Sequence, residues 1–189
     1  MAVAAAVDRA AAVRGALRVL VAERGFHGAS MSAVAAEAGV ATGTAYTHYA
    51  SKDELVLAAY LETKAELAVA ATTGLELDGG PADRFRAIWL AAYRHAAANR
   101  DHALFLLQVD SSPYKARAHE TAIGREDPLL EQAAAPDIAA RLLPLPPEVL
   151  YELGLGPAVR LAAGGADLDE DELEEIADAC WRAISRPAP

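Results

Sequence analysis

Apolar residues recur at helical spacing along almost the whole chain, and the strict alternation of a half-buried strand is nowhere sustained. In residues 8–24, Ala12, Ala16, Val19 and Leu20 share one face, and with Phe26 they predict an amphipathic first helix over a small core. Met31, Val34, Ala35 and Ala38 form a second, narrower stripe whose small side chains let a neighbouring helix come close. Gly39 then ends that helix at a position that favours positive φ. Thr42 to Tyr49 follows as a short helix carrying hydroxyls, a phenol and an imidazole in place of charge. Ser51 and Glu54 have capping-box spacing and open a long helix from Lys52 to Thr73. Beyond a loop signal at 75–81, LELDGGP, helices are expected near 81–98, 100–111, 114–135 and 136–143, up to the run PLPP at 144–147. A helix from Glu148 to Ala163, kinked at Pro157, and one from Asp169 to Ser185 close the pattern, with Gly164-Gly165 between them. The fold class predicted is all-α. A three-helix head in residues 1–55 joins, through a long helix, a helical body in 56–189.

Two short helices meeting at a glycine turn are the unit that lays its second helix in the major groove of DNA. Ser30 is placed to cap the first of them, and Ser51-Lys52-Asp53-Glu54 puts two acids in the first turn of the long helix, where its dipole favours them. Thr42, Thr44, Tyr46 and His48 are assigned to DNA: Tyr46 and His48 to phosphates as well as bases, Thr44 to a thymine methyl. Gly43 allows the backbone to approach, and Ser30, Ser32 and Thr47 complete the polar face. Lys52 sits at a helix N-terminus, where its ammonium and the exposed amides suit a phosphate. Tyr49 and Val40 read as core.

Gly25-Phe26, Ser30-Met31, Val34-Ala35, Ala38-Gly39-Val40, Gly43-Thr44, Tyr46, His48-Tyr49, Ser51-Lys52 and Leu55 resemble the DNA-binding signature of TetR-type transcriptional regulators, over roughly residues 8 to 60. The pattern departs at Ala29 (commonly threonine), Ala41 (a capping serine), Thr42 (lysine) and Ala45 (leucine). Losing the cap at Ala41 costs the second short helix about 1 kcal/mol unless Thr42 replaces it. The resemblance implies a helix-turn-helix head on a ligand-binding and dimerisation body. It also implies a homodimer on a double-stranded, palindromic operator, repressing when free and released by a small-molecule effector.

Two faces of the body fit those roles. Leu173, Ile176, Ala177, Cys180, Trp181 and Ile184 form one apolar stripe on the last helix, preceded by Asp169 and Glu172 at capping-box spacing. With Leu153 and Leu161 of the helix before it, this stripe makes the expected dimer interface: Leu153, Leu161, Leu173, Ile176, Cys180, Trp181 and Ile184. The same stripe also fits ordinary core within one chain. Trp89, Tyr93, His102, Phe105, Gln108 and Tyr114 gather large aromatic and amide groups in a short span and are the candidates for an effector site, although aromatics at this spacing also fit core. A mostly apolar, partly aromatic lining points to an uncharged or lipophilic molecule.

Composition adjusts this picture in three places. Of the 189 residues, 53% are hydrophobic, yet no stretch long enough to cross a bilayer escapes a charge or a helix breaker, and the apolar N-terminus lacks the basic start of a signal peptide. The single cysteine, Cys180, forms no internal disulfide and suits a reducing cytoplasm. The net charge of −10 argues against nucleic acid until it is located: residues 1–60 hold five bases and five acids, so all of it lies in the body. Arg9 and Arg14 read as a solvated helical face. His95, His102 and His119 lack metal-ligand spacing, so no metal site is expected, and no cofactor is expected either. No Ser–His–Asp, P-loop or paired-carboxylate signature favours an enzyme. The competing reading keeps the fold as a DNA-associated interaction protein without an effector.

Overall fold

The computed structural model describes residues 2–74 and 79–187, with side chains from residue 9 on. The loop expected at 75–81 therefore falls mostly outside the described residues. Among these there are twelve helices and no strand, with one isolated antiparallel bridge between Leu142 and Ser185. The all-α expectation is met. The chain groups into two compact units, Met1–Lys64 with Leu104–Arg125, and Ala65–Ala103 with Glu126–Pro189.

The first unit begins with α1 (Ala2–Gly28), which leaves helical geometry at Gly25. Then come α2 (Met31–Glu37), α3 (Thr42–His48) and the long α4 (Lys52–Thr72). Ser30 caps α2 as expected, its hydroxyl accepting from the Ala33 amide at 3.1 Å. At the other end Gly39 adopts φ +66°, so the Val40 amide reaches the Ala35 carbonyl at 2.9 Å and the Gly39 amide that of Ala36 at 3.1 Å. Two carbonyls left over by α2 are thereby satisfied, and the chain turns into α3. Val13, Leu17 and Val21 of α1, Val34 and Ala35 of α2, Ala45 of α3, and Leu55, Val56 and Ala59 of α4 are fully buried, which makes the junction of these four helices the unit's core. Also in this unit are the greater part of α6 (Arg100–Asp110) and α7 (Lys115–Ala122).

In the second unit α5 (Pro81–Ala98) is the central helix. It lies against α11 (Gly156–Gly164) and α12 (Glu170–Ile184), and fully buried Trp89 stacks parallel to Tyr93 at 6.0 Å between ring centres. Asp169 and Glu172 form the expected reciprocal capping box of α12. Two expected helices are broken. Residues 114–135 divide into α7 and α8 (Pro128–Ala134), because Gly124 turns the chain at φ +79° and Asp127-Pro128 starts a new, side-chain-capped helix. Residues 148–163 divide into α10 (Pro147–Leu153) and α11. Pro157 does not kink a continuous helix; it stands in the first turn of α11, where a missing N–H costs nothing. The break itself is at Gly154, where an added Cβ would lie 2.7 Å from the Leu150 carbonyl oxygen. Its carbonyl accepts from the Trp89 indole N–H at 3.2 Å, and Arg160 holds α10 and α11 together through the Glu152 carboxylate and carbonyl at 2.6 and 2.7 Å. The helix expected at 136–143 shortens to α9 (Pro136–Ala139). Its remainder pairs with the C-terminal segment, Leu143 donating to Ile184 at 2.8 Å and Arg186 to Arg141 at 2.8 Å.

Candidate nucleic-acid interface

Helix α3 is short, and its inner side has one buried residue, Ala45. The ring of Tyr49, immediately after its last turn, supplies the second anchor and is also buried. What faces outward is polar. Thr42, Gly43 and Thr47 are exposed, Tyr46 keeps 52% of its surface, and Thr44 and His48 are half-buried. Thr47 donates to the Gly43 carbonyl at 2.9 Å, which holds its methyl and hydroxyl in one orientation. Ala41 occupies the N-cap with extended backbone and no side-chain bond, so Thr42 does not take over the missing cap. Ser30 and Ser32 lie beside one another at the start of α2, their hydroxyls 3.0 Å apart.

Lys52, the residue expected at a phosphate, has partners within its own unit in the free protein. Its ammonium donates to the Phe26 carbonyl and lies 5.9 Å from the centre of the Phe26 ring, and burial draws its pKa below the usual lysine value. Phe26 also meets Tyr114 at 4.9 Å and Phe105 at 6.4 Å. The Tyr114 hydroxyl donates to Asp53 at 2.9 Å, and Arg117 approaches the other Asp53 oxygen at 3.4 Å. The first turn of α4 is thus held by an aromatic group and two hydrogen-bond donors.

A polar network that no short-range sequence pattern announces in full lies behind α3. Arg14 donates to the Tyr49 hydroxyl at 2.5 Å and, with another nitrogen, to Glu62 on α4. Arg18 donates to the second Glu62 oxygen at 2.6 Å, and Tyr49 donates onward to the Ala10 carbonyl at 3.3 Å. Arg14 is therefore not part of a solvated face, whereas Arg9 is exposed. Burial works against the Glu62 carboxylate, but the Arg14 and Arg18 hydrogen bonds outweigh it and hold its pKa below the usual glutamate value. The available signal was the i, i+4 spacing of Arg14 and Arg18, which aims both guanidinium groups at one place.

The six candidate effector residues are divided between the two units. Trp89, Tyr93 and His102 belong to the second unit, and Phe105, Gln108 and Tyr114 to the first. Tyr93 donates to the Ala166 carbonyl at 3.3 Å, and His102 Nδ1 lies 3.2 Å from a Glu66 oxygen. Phe105 is fully buried and Gln108 is exposed. On the dimer stripe, Leu173, Cys180, Trp181 and Ile184 are buried by their own chain, with Trp181 5.3 Å from Phe85 of α5. Ile176 and Leu161 are half-buried, and Leu153 retains 44% exposure. No helix among the described residues is long and apolar enough to cross a membrane.

A family model described as "Bacterial regulatory proteins, tetR family" matches residues 13–59, and one described as "Tetracyclin repressor-like, C-terminal domain" matches residues 81–185. No curated protein matches the chain. Among solved structures, a TetR-family regulator from Vibrio parahaemolyticus is 30% identical, with 93% of this chain and 98% of that one covered and a TM-score of 0.69. A TetR-family regulator from Haemophilus influenzae is 24% identical, with 96% and 99% covered and a TM-score of 0.77. One from Shewanella sp. PV-4 is likewise 24% identical, with 95% and 99% covered and a TM-score of 0.78.

Proposed function

Because the chain belongs to the TetR family of bacterial transcriptional regulators, we propose that it is a dimeric repressor, released from a palindromic operator by a small apolar ligand. The outward face of α3 carries the reading. Thr42, Tyr46 and Thr47 stand exposed on a helix whose opposite side is anchored by Ala45 and Tyr49. Such a face offers a phenol and hydroxyls to phosphates, and methyls to thymine, without relying on charge.

Two such helices fit successive major grooves when a two-fold axis holds them about 34–36 Å apart. Leu153, Leu161 and Ile176, which a single chain leaves partly open, are apolar groups that a second copy could cover. A ligand preferring a different spacing of the heads shifts the population away from the DNA-competent form, and α4, whose residues run from one unit into the other, is the connecting element. Such a regulator works in the cytoplasm, with its DNA.

The test is selection of duplexes from a random pool by the purified protein, followed by gel shift with the selected duplex. Tyr46→Ala is expected to weaken that binding at least tenfold. Binding equal to wild type would show that α3 is not the reading helix.

A further inference from the structure

We propose that Glu62, Arg14 and Tyr49 act as positioning residues that govern sequence selection by fixing the pitch of α3. The inference rests on the DNA-binding reading above and concerns side chains that face away from the duplex.

Helix α3 has few means of holding its own orientation. It spans seven residues, has no side-chain cap at Ala41, and buries Ala45 alone. Its C-terminal end is fixed by Tyr49, whose amide closes the last turn on the Ala45 carbonyl at 3.0 Å and whose ring enters the core. A buried ring can still tilt about its Cβ; its hydroxyl, bonded at two points, cannot. That hydroxyl accepts from Arg14 at 2.5 Å and donates to the Ala10 carbonyl at 3.3 Å. Arg14 is held in turn by one oxygen of Glu62, while Arg18 holds the other oxygen at 2.6 Å. A planar guanidinium with two partners in fixed directions has one available orientation. The chain of constraint therefore runs from a single carboxylate on α4, through Arg14 on α1, to the end of the helix that carries Tyr46 and His48. Hydrogen bonds to base edges need donors placed within a few tenths of an ångström, so a loosened α3 loses base readout before it loses phosphate contact.

The experiment compares wild type, Tyr49→Phe, Glu62→Gln and the double variant. It measures affinity for the wild-type-selected duplex and for a random-sequence duplex, and amide hydrogen exchange across α3 without DNA. Tyr49→Phe keeps the ring and both ion pairs and deletes only the hydroxyl. Each single variant is expected to lose about tenfold on the selected duplex and less than about twofold on the random one, with faster exchange in α3. The double variant is expected to lose no more selectivity than either single one, because both cut the same path. A merely destabilised head lowers both affinities together, so an unchanged ratio of the two overturns the proposal. If wild type selects no duplex, the DNA-binding reading falls by itself. Exchange in α3 then decides the positioning: acceleration in both variants supports it, and wild-type rates in either refute it.

Discussion

Helices α2 and α3 carry the same backbone at their N-caps and different side chains, and that difference is measurable. Ser30 sits at φ −72°, ψ 157° and its hydroxyl accepts from the Ala33 amide at 3.1 Å. Ala41 sits at φ −65°, ψ 145°, is exposed, and offers no oxygen. Since the two geometries nearly coincide, a serine at the exposed position 41 in the Ser30 rotamer faces the Thr44 amide, as Ser30 faces Ala33, and the neighbouring Gly43 amide is the other N-cap donor in reach. The Thr44 amide already bonds the Ala41 carbonyl at 2.8 Å, so the Gly43 amide gains most. A serine cap is worth about 1 kcal/mol over alanine. Ala41→Ser should therefore slow opening of α3 about fivefold, and Ser30→Ala should speed opening of α2 by a similar factor. Amide exchange followed by mass spectrometry reads both in the free protein, and a gel shift on the selected duplex should show Ala41→Ser binding no more weakly than wild type. Unchanged or faster exchange in α3 of Ala41→Ser, alongside the expected loss in Ser30→Ala, would refute the claim that α3 is short of a cap.

Acid should loosen the head through Glu62. Its folded pKa lies below the ordinary 4.5, so the stability it contributes is complete above that value and disappears as pH falls through the lower folded value. A melt of the protein across that window should be steeper for wild type than for Glu62→Gln, and parallel curves would remove Glu62 from the account. On the body, Trp181→Ala should cost the single chain about 3–5 kcal/mol, because the ring is buried against α5, whereas Leu153→Asp should spare the melt and weaken only self-association. Light scattering with thermal melts separates the two, and a stable monomer from Trp181→Ala would return the α12 stripe to the dimer interface.

The head was legible because each local rule in it agrees with its neighbours. Ser30, Gly39 and the Ser51–Glu54 pair are short-range signals whose partners lie within five residues, and all three appear at the expected places. Even there one detail moved: Glu54 reaches back to the Ala50 amide at 2.8 Å. The Arg14–Glu62–Tyr49 network was invisible because its members lie 35 and 48 residues apart, and no periodicity relates them. In the body the same limit acted differently. The stripe on α12 is apolar as expected, but an apolar stripe does not say whether its own chain or a second one covers each position; Leu173, Cys180, Trp181 and Ile184 are buried within one chain, whereas Ile176 stays half-open. Trp89 and Phe105, near one another in sequence, fall in different units because the division lies within α6.

Counted from sequence, residues 1–60 offer five basic side chains. In the structure Arg14 and Arg18 are committed to Glu62, Lys52 to the Phe26 carbonyl, and Arg24 stands 3.5 Å from Glu23. Arg9 is exposed, and Arg117 of α7 is drawn to Asp53. Few cations are left to displace counterions, and the −10 of the body adds repulsion at longer range. With about two phosphates neutralised per subunit, a dimer should show a slope of about −4 in log affinity against log salt. Titrating the selected duplex between low and moderate salt by fluorescence anisotropy measures it. A slope near −8 would mean that the Glu62 and Phe26 contacts release their cations on the duplex, and that the Tyr46 face is not the main source of affinity. A shallow slope instead leaves hydroxyls, the phenol and helix-terminal amides to supply binding, and a protein built that way gains little from random DNA.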